Sequence, residues 1–270
     1  MRRSDLDIAI DWAAAEGWNP GLHDADAFLA ADPGGYLIGE IDDEPVASIS
    51  VVAYDTAFGF LGFYIVAPSR RGEGHGLAIW EAGMHYLGNR NVGLDGVVAQ
   101  QPNYRRSGFR YAYGNQRFGG VAEGDEGRGT VPVGEVLIDD VLAYDRRCFP
   151  AARRPFLERW LSQPDGHALA LPGANGLRGY GVVRKCRAGY KIGPLFADGP
   201  QEADQLYRAL AGKIVGEMVY LDVPLPNVEA VALARRYGLE PSFETARMYT
   251  GPEPDVALDC TFGVTTFELG

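Results

Sequence analysis

Apolar positions along the chain recur with two periods, and each period marks a kind of element. Residues 6, 9, 10, 13 and 14 are apolar, the spacing of one helix face, which predicts a helix over 6–17 closed by Gly17 and Pro20. Tyr36–Ile41 and 46–52 read as strands around an acidic turn, and Phe58–Val66 is aromatic and β-branched enough for a core strand. A helix over 77–87 and strands over 97–100 and 111–118 follow. The second half repeats the theme: a helix at 155–161, strands at 179–186 and 189–195, a helix at 202–215, a strand at 219–223, a helix at 228–237 and a strand at 243–249. This alternation predicts an α/β fold with a mixed sheet. The stretch 122–134 is polar, rich in glycine and without a hydrophobic period, so it reads as a linker dividing the chain into 1–130 and 131–270.

A weak internal repeat accompanies that division. Gly108-Phe109 is followed by Tyr113 and Arg117, and Gly238-Leu239 by Phe243 and Arg247 at the same offsets. An old duplication would explain it.

Composition narrows the function classes. Among 270 residues, 36 acids against 25 bases leave a net charge of −11, which argues against nucleic-acid and anionic-membrane partners. Cys148, Cys186 and Cys260 form no CxxC pair, so neither structural zinc nor a disulfide framework is expected, and no metal site is predicted. No apolar run approaches membrane-spanning length and the first residues carry acids, so a cytoplasmic protein is expected. Small anionic ligands remain open, because a nest of backbone N–H groups binds phosphate whatever the net charge.

The segment 63–80 points to such a nest. A strand runs into Val66-Ala67-Pro68, then Arg71-Gly72-Glu73-Gly74-His75-Gly76, then a helix. Loop glycines let amides approach a ligand, and the helix N-terminus favours an anion, so a pyrophosphate site is predicted. A GxGxxG fingerprint fails in both frames, with Leu77 or Ile79 at the last position. A Walker loop fails because Gly212-Lys213 is followed by Ile214.

The pattern resembles motif A of the GNAT family of N-acetyltransferases, Arg/Gln-x-x-Gly-x-Gly/Ala after a Val-x-Pro strand end. Asn103-Tyr104-Arg-Arg-Ser-Gly108-Phe109 is similar to the family's later Tyr-x-x-x-Gly-Phe element. The segments 16–21 with Asp24, 247–249 and 262–270 resemble a bacterial subgroup carrying a second, C-terminal acetyltransferase-like domain. The resemblance implies tandem domains, each a mixed, mostly antiparallel sheet flanked by helices, with acetyl-CoA bound in the first.

It also implies roles. Backbone groups of Tyr64, Ile65 and Val66 would pair with the pantetheine arm, with a strand N–H near Ile65 or Val66 as oxyanion donor. Arg71 and the amides of Gly72, Glu73, Gly74, His75, Gly76 and Leu77 would take the pyrophosphate. Tyr104 would be the general acid for the thiolate. Trp12, Trp18 and Asn19 fall where the family places acceptor-facing helices, with Asp24 a further substrate-side candidate. For the base, Glu16, Asp24, Asp55, Asp222 and a water wire stay open. The second half lacks the loop and has Ala234 where Tyr104 stands, so it is expected to be degenerate, with Asp222, Asn227, Arg247 or Tyr249 reaching the interface. The implied reaction is acetyl transfer from acetyl-CoA to a primary amine of a small molecule by direct attack. A protein amine, or a non-catalytic acyl-CoA sensor, is the alternative.

Overall fold

A computed structural model of the chain describes residues 1–174 and 176–270. The first half runs α1 (Arg3–Ala15), α2 (Asp24–Ala31), β1 (Tyr36–Ile41), β2 (Glu44–Ala53), β3 (Phe58–Val66), α3 (His75–Leu87), β4 (Asn91–Val97), α4 (Gln101–Arg106) and β5 (Arg110–Val121). The second runs β6 (Val131–Pro132), α5 (Ile138–Cys148), α6 (Arg154–Trp160), β7 (Gly166–Gly173), β8 (Gly176–Lys185), β9 (Tyr190–Ala197), α7 (Pro200–Ala211), β10 (Met218–Pro224), α8 (Val228–Arg236), β11 (Glu240–Tyr249) and β12 (Thr261–Gly263).

One expected strand is misplaced. Residues 98–100 form a 3-10 turn, and the strand is β4, just before them. β4 carries Gly93, Asp95 and Gly96, residues that strands usually avoid. Their smallness is used: a Cβ on Gly93 would lie 2.9 Å from the Phe60 ring, and one on Gly96 would enter the Tyr104 ring. The 122–134 stretch is not a free tether, since Asp125 binds Arg208 at 3.0 Å and Gly127 lies against Ala209 on α7.

Among the described residues, twelve strands share one sheet, in the order β1-β2-β3-β4-β11-β5-β10-β9-β8-β7-β6, with β12 beside β9. The pairs β3/β4 and β9/β10 are parallel, and the remaining pairs are antiparallel. The order contains a reciprocal exchange. β11 of the second half lies between β4 and β5 of the first, and β5 lies between β11 and β10.

Two buried ion pairs hold the exchanged strands. Arg117 on β5 stands opposite Asp222 on β10 and binds it through Nε and Nη2 at 2.6 and 2.8 Å. Arg247 on β11 stands opposite Asp95 on β4, with both bonds at 2.7 Å. These are the matching arginines of the sequence repeat. The repeat's glycines match as well: Gly108 and Gly238 have φ of 90° and 66° and end α4 and α8. The N–H groups of Phe109 and Leu239 then reach back to the carbonyls of Tyr104 and Ala234 at 3.0 and 3.1 Å, the same helix-ending turn in each half. The repeated positions do the same work twice.

Burial pushes the Asp222 carboxyl up, but the adjoining Arg117 guanidinium outweighs it and holds the pKa below its ordinary value. A carboxyl whose pKa is lower folded than unfolded stabilises the fold above its unfolded pKa of about 3.9. That contribution is lost as pH falls through the folded value. Removing one partner of such a pair strands a buried charge, at a cost of about 3–5 kcal/mol. Arg117→Met is expected to lower the unfolding free energy by about that amount at pH 7, and Arg117→Met with Asp222→Leu to recover much of it. Urea unfolding checks this; equal losses in the single and double variants would refute it.

Candidate active site

The parallel strands β3 and β4 pair from Phe58 opposite Asn91 to Leu61 opposite Leu94, and then part. Residues 62–66 keep their β2 neighbour but lose β4, so one backbone edge opens onto a cleft of about 330 Å3. A bulge accompanies the parting. Gly62 pairs with Ser50 and Ile65 with Ser48, so Phe63 and Tyr64 together oppose a single residue. Phe63 sits at φ 44°, and its carbonyl accepts a 2.8 Å bond from the buried Ser48 hydroxyl. Left-handed backbone at a bulky residue costs about 1–3 kcal/mol and collects at functional sites.

The loop after β3 has the expected form. Gly72 and Gly74 take φ of 86° and 91°, and Gly74 caps α3. The first backbone bond of α3 runs from the Ala78 N–H to the Gly74 carbonyl at 3.1 Å. Among the described residues, no protein acceptor meets the N–H groups of Gly72, Glu73, Gly74, His75, Gly76 or Leu77. Consecutive free amides at the positive end of a helix form an anion cradle. The Glu73 and His75 side chains engage each other at 3.1 Å. Arg71 turns from the cradle: its guanidinium pairs with Glu16 and donates to the Val66 carbonyl at 3.1 Å, bridging α1 and β3 at the cleft mouth. Tyr64, Ile65 and Val66 line the cleft, and a Cβ on Gly76 would lie 2.8 Å from the Tyr64 hydroxyl, which sets the loop beside the strand.

Tyr104 is buried and lines the same cleft. Its ring stacks on Trp80 at 5.9 Å, while the Gly108-Phe109 turn brings Phe109 against the other atoms of Trp80 at 5.8 Å. That packing is the physical content of the Tyr-x-x-x-Gly-Phe spacing. Burial pushes the Tyr104 phenol up to about 12.

The acceptor-side expectations divide. Trp18 lines the cleft, whereas Trp12, half-buried on α1, packs against the hydrophobic cluster of α1 and α2. Asn19 is corrected: its amide binds the Ala188 backbone at both ends, at 2.9 and 2.8 Å, tethering its segment to the second half. Asp24 is also corrected. It is 1% exposed, binds Arg184 at 2.9 Å and the Gly21 N–H at 2.8 Å, and neutralises a buried cation instead of facing a substrate. Asp55 accepts two backbone N–H groups in the β2–β3 turn, and Asp222 is held by Arg117. Asp95 borders the cleft, but Arg247 and Asn115 occupy its oxygens.

The far wall of the cleft comes from the second half, through Phe243 and Thr245 on β11 and Phe267 and Glu268 beyond β12. Sequence reasoning gave these residues no role. The available signal was Glu268 itself, a lone acid in the otherwise uncharged run 262–270. Thr245 Oγ1 is buried without a hydrogen-bond partner.

The corresponding place in the second half is filled. β9 and β10 pair through Ile192 opposite Leu221 and then part, as β3 and β4 do. Into that gap runs β12, with Thr261 opposite Phe196, Gly263 opposite Leu195, and the Val264 N–H on the Asp222 carbonyl at 2.8 Å. Asn227, at the start of α8, donates to the Thr261 carbonyl at 3.0 Å. Where a phosphate loop would stand, Asp198 and Gly199 lead directly into α7, whose first turn carries Glu202. Acids there repel phosphate.

The acetyltransferase (GNAT) family model matches residues 6–109, and a second acetyltransferase (GNAT) domain model matches 141–263. The chain is 34% identical to holothin acyltransferase of a Pseudoalteromonas species over 266 residues, covering 97% of this chain and 90% of that protein. A crystal structure of a protein from Pyrococcus horikoshii superposes with a TM-score of 0.83 at 20% identity, covering 100% of this chain and 94% of that one. A tandem GNAT protein from the clavulanic acid biosynthesis pathway does so with a TM-score of 0.60 at 16% identity, covering 94% and 98%. At those identities the two structures speak for the fold alone. With two family domains in series and a full-length relative that is an acyltransferase, the chain belongs to the GNAT family as a tandem-domain acyltransferase.

Proposed function

We propose that the chain moves an acetyl group from acetyl-CoA to the primary amine of a small molecule, by direct attack in a ternary complex. The observation that carries this reading is a cleft holding an open strand edge and the Tyr104 phenol, with a cradle of unpaired amides set next to it through the Gly76–Tyr64 contact. The residues present fit the coenzyme. Amides of 72–77 suit its pyrophosphate, and the free edge of 62–66 suits an extended amide arm. When bound, the coenzyme supplies an acyl thioester. The chain's own part is to hold it, to offer backbone dipoles to the carbonyl oxygen, and to protonate the departing sulfur from Tyr104.

A cleft of about 330 Å3 favours a small acceptor over a protein segment, and its Trp18, Phe243 and Phe267 walls favour an apolar or flat one. The relative's name, holothin acyltransferase, points the same way. With its gap filled and acids at the start of α7, the second half is read as non-transferring.

Four measurements test the reading. Thiol release from acetyl-CoA over an amine panel should exceed background, and a coenzyme-binding protein without release would replace the enzyme with a sensor. Gly74→Asp should abolish the CoA-induced rise in melting temperature, through a strained φ and like charge at the cradle. Tyr104→Phe should lower turnover roughly 10²-fold or more while leaving CoA affinity near wild type. Because burial holds the phenol near 12, the wild-type rate should show no alkaline decline from Tyr104 below pH ~11. A Tyr104→Phe variant that loses binding and turnover together would make the residue packing only.

A further inference from the structure

Of the three carboxylates that line the cleft among the described residues, two are ion-paired to arginines and one is not. Arg247 and Asn115 hold Asp95, and Arg71 holds Glu16. Glu268 differs. It is 4% exposed and lines the cleft, and its Oε2 accepts the Thr266 hydroxyl, while no protein donor reaches its Oε1. Thr245 Oγ1 of this same wall is buried without a partner, whereas Glu268 Oε1 is not among such sealed atoms and belongs to a side chain that lines the cleft.

Its position is fixed from both halves. Residues 261–264 fill the β9/β10 gap, as described. Arg153 then donates to Thr265 Oγ1 at 2.9 Å, and Tyr54 donates to the Leu269 carbonyl at 2.9 Å. At Gly62, where β3 leaves β4, a Cβ would run into the Glu268 carbonyl. The Glu268 backbone therefore lies on the strand whose open edge faces the coenzyme. Glu268 also sits in the field of three buried cations, Arg117, Arg184 and Lys191. Asp222 and Asp24 bind the first two directly, whereas among the described residues the Lys191 ammonium bonds the Trp18 carbonyl alone, at 3.1 Å.

We infer that Glu268 is the proton acceptor for the amine, so that the second half, which transfers nothing itself, completes the first half's catalytic centre. This rests on the acetyl-transfer reading above. The Glu268 carboxylate takes one proton from the alkylammonium and passes it to solvent. The freed nitrogen lone pair forms a bond to the acyl carbon, the carbon–sulfur bond breaks with its pair on sulfur, and Tyr104 gives that sulfur a proton. The surplus proton on nitrogen goes to Glu268 and returns through water to the Tyr104 phenolate. One proton is released overall, and both side chains end as they began.

The test uses the full chain with acetyl-CoA and an acceptor found in the amine panel. Glu268→Gln should lower kcat at pH 7 by about 10²-fold or more while the CoA-induced thermal shift stays at the wild-type value. Its deficit should shrink as pH rises toward the amine's own pKa, where the acceptor arrives already deprotonated. A purely structural role, as counter-charge to Lys191, predicts instead a lower melting temperature with a pH-independent deficit. Turnover within threefold of wild type, a pH-independent loss, or loss of the CoA shift overturns the inference. Should Glu268→Gln not fold, Glu268→Asp keeps the charge and withdraws the carboxylate by one methylene; a reduced kcat with the CoA shift retained supports the role, and wild-type kcat overturns it. If the wild-type chain itself releases no thiol, the acetyl-transfer reading fails; if only the Glu268 variants behave as wild type, this inference fails alone.

Discussion

The structure depends on the trade of β5 for β11. Each strand leaves its own half, enters a gap in the other, and presents an arginine to an aspartate directly across the ladder. Buried arginine–carboxylate pairs tolerate little error, because both oxygens and both nitrogens must be matched at once. The two pairs therefore fix register as well as charge. They also place rings: Arg117 lies over Phe243 and Phe267 at 5.5 and 5.2 Å, and Arg247 over Phe60 and Tyr113 at 5.1 and 5.8 Å. The aromatic wall of the cleft is thus set by the same contact that joins the halves.

The two halves put the same gap to opposite uses. In the first, the parting of β3 from β4 is left open and backed by a loop of unpaired amides. In the second, the parting of β9 from β10 is closed by the chain itself, residues 261–264 lying where an extended ligand would add a strand. Closing it anchors the segment that runs on to Phe267 and Glu268 at the first half's cleft. The second half thus contributes to the cleft through what its filled slot positions.

Much of this was legible in the residues. The strand, loop and helix over 58–87 appear where their periodicity and glycines put them, and the Gly108-Phe109 and Gly238-Leu239 repeat corresponds to matching helix-ending turns. What stayed hidden has physical causes. β4 carries glycine and aspartate where its neighbours need the room and the charge, so propensity sets the strand too late, at 97–100. Asp24 looked available because a one-dimensional string does not show Arg184, 160 positions away. Glu268 was read only as part of a closing pattern, since nothing local tells that residues 262–270 cross to the other half. The exchange itself leaves no trace in the sequence, because strand periodicity does not name a strand's neighbours.

The traded strands bear on how the molecule is made. A ribosome that has translated the first two hundred residues holds β4 and β5 with nothing between them, each showing a naked hydrogen-bonding edge. That lesion heals only when residues 240–249 emerge and thread into it. Nascent chains must therefore survive a long sticky interval, and a prematurely stopped product is left with neither a sealed sheet nor a finished reaction chamber.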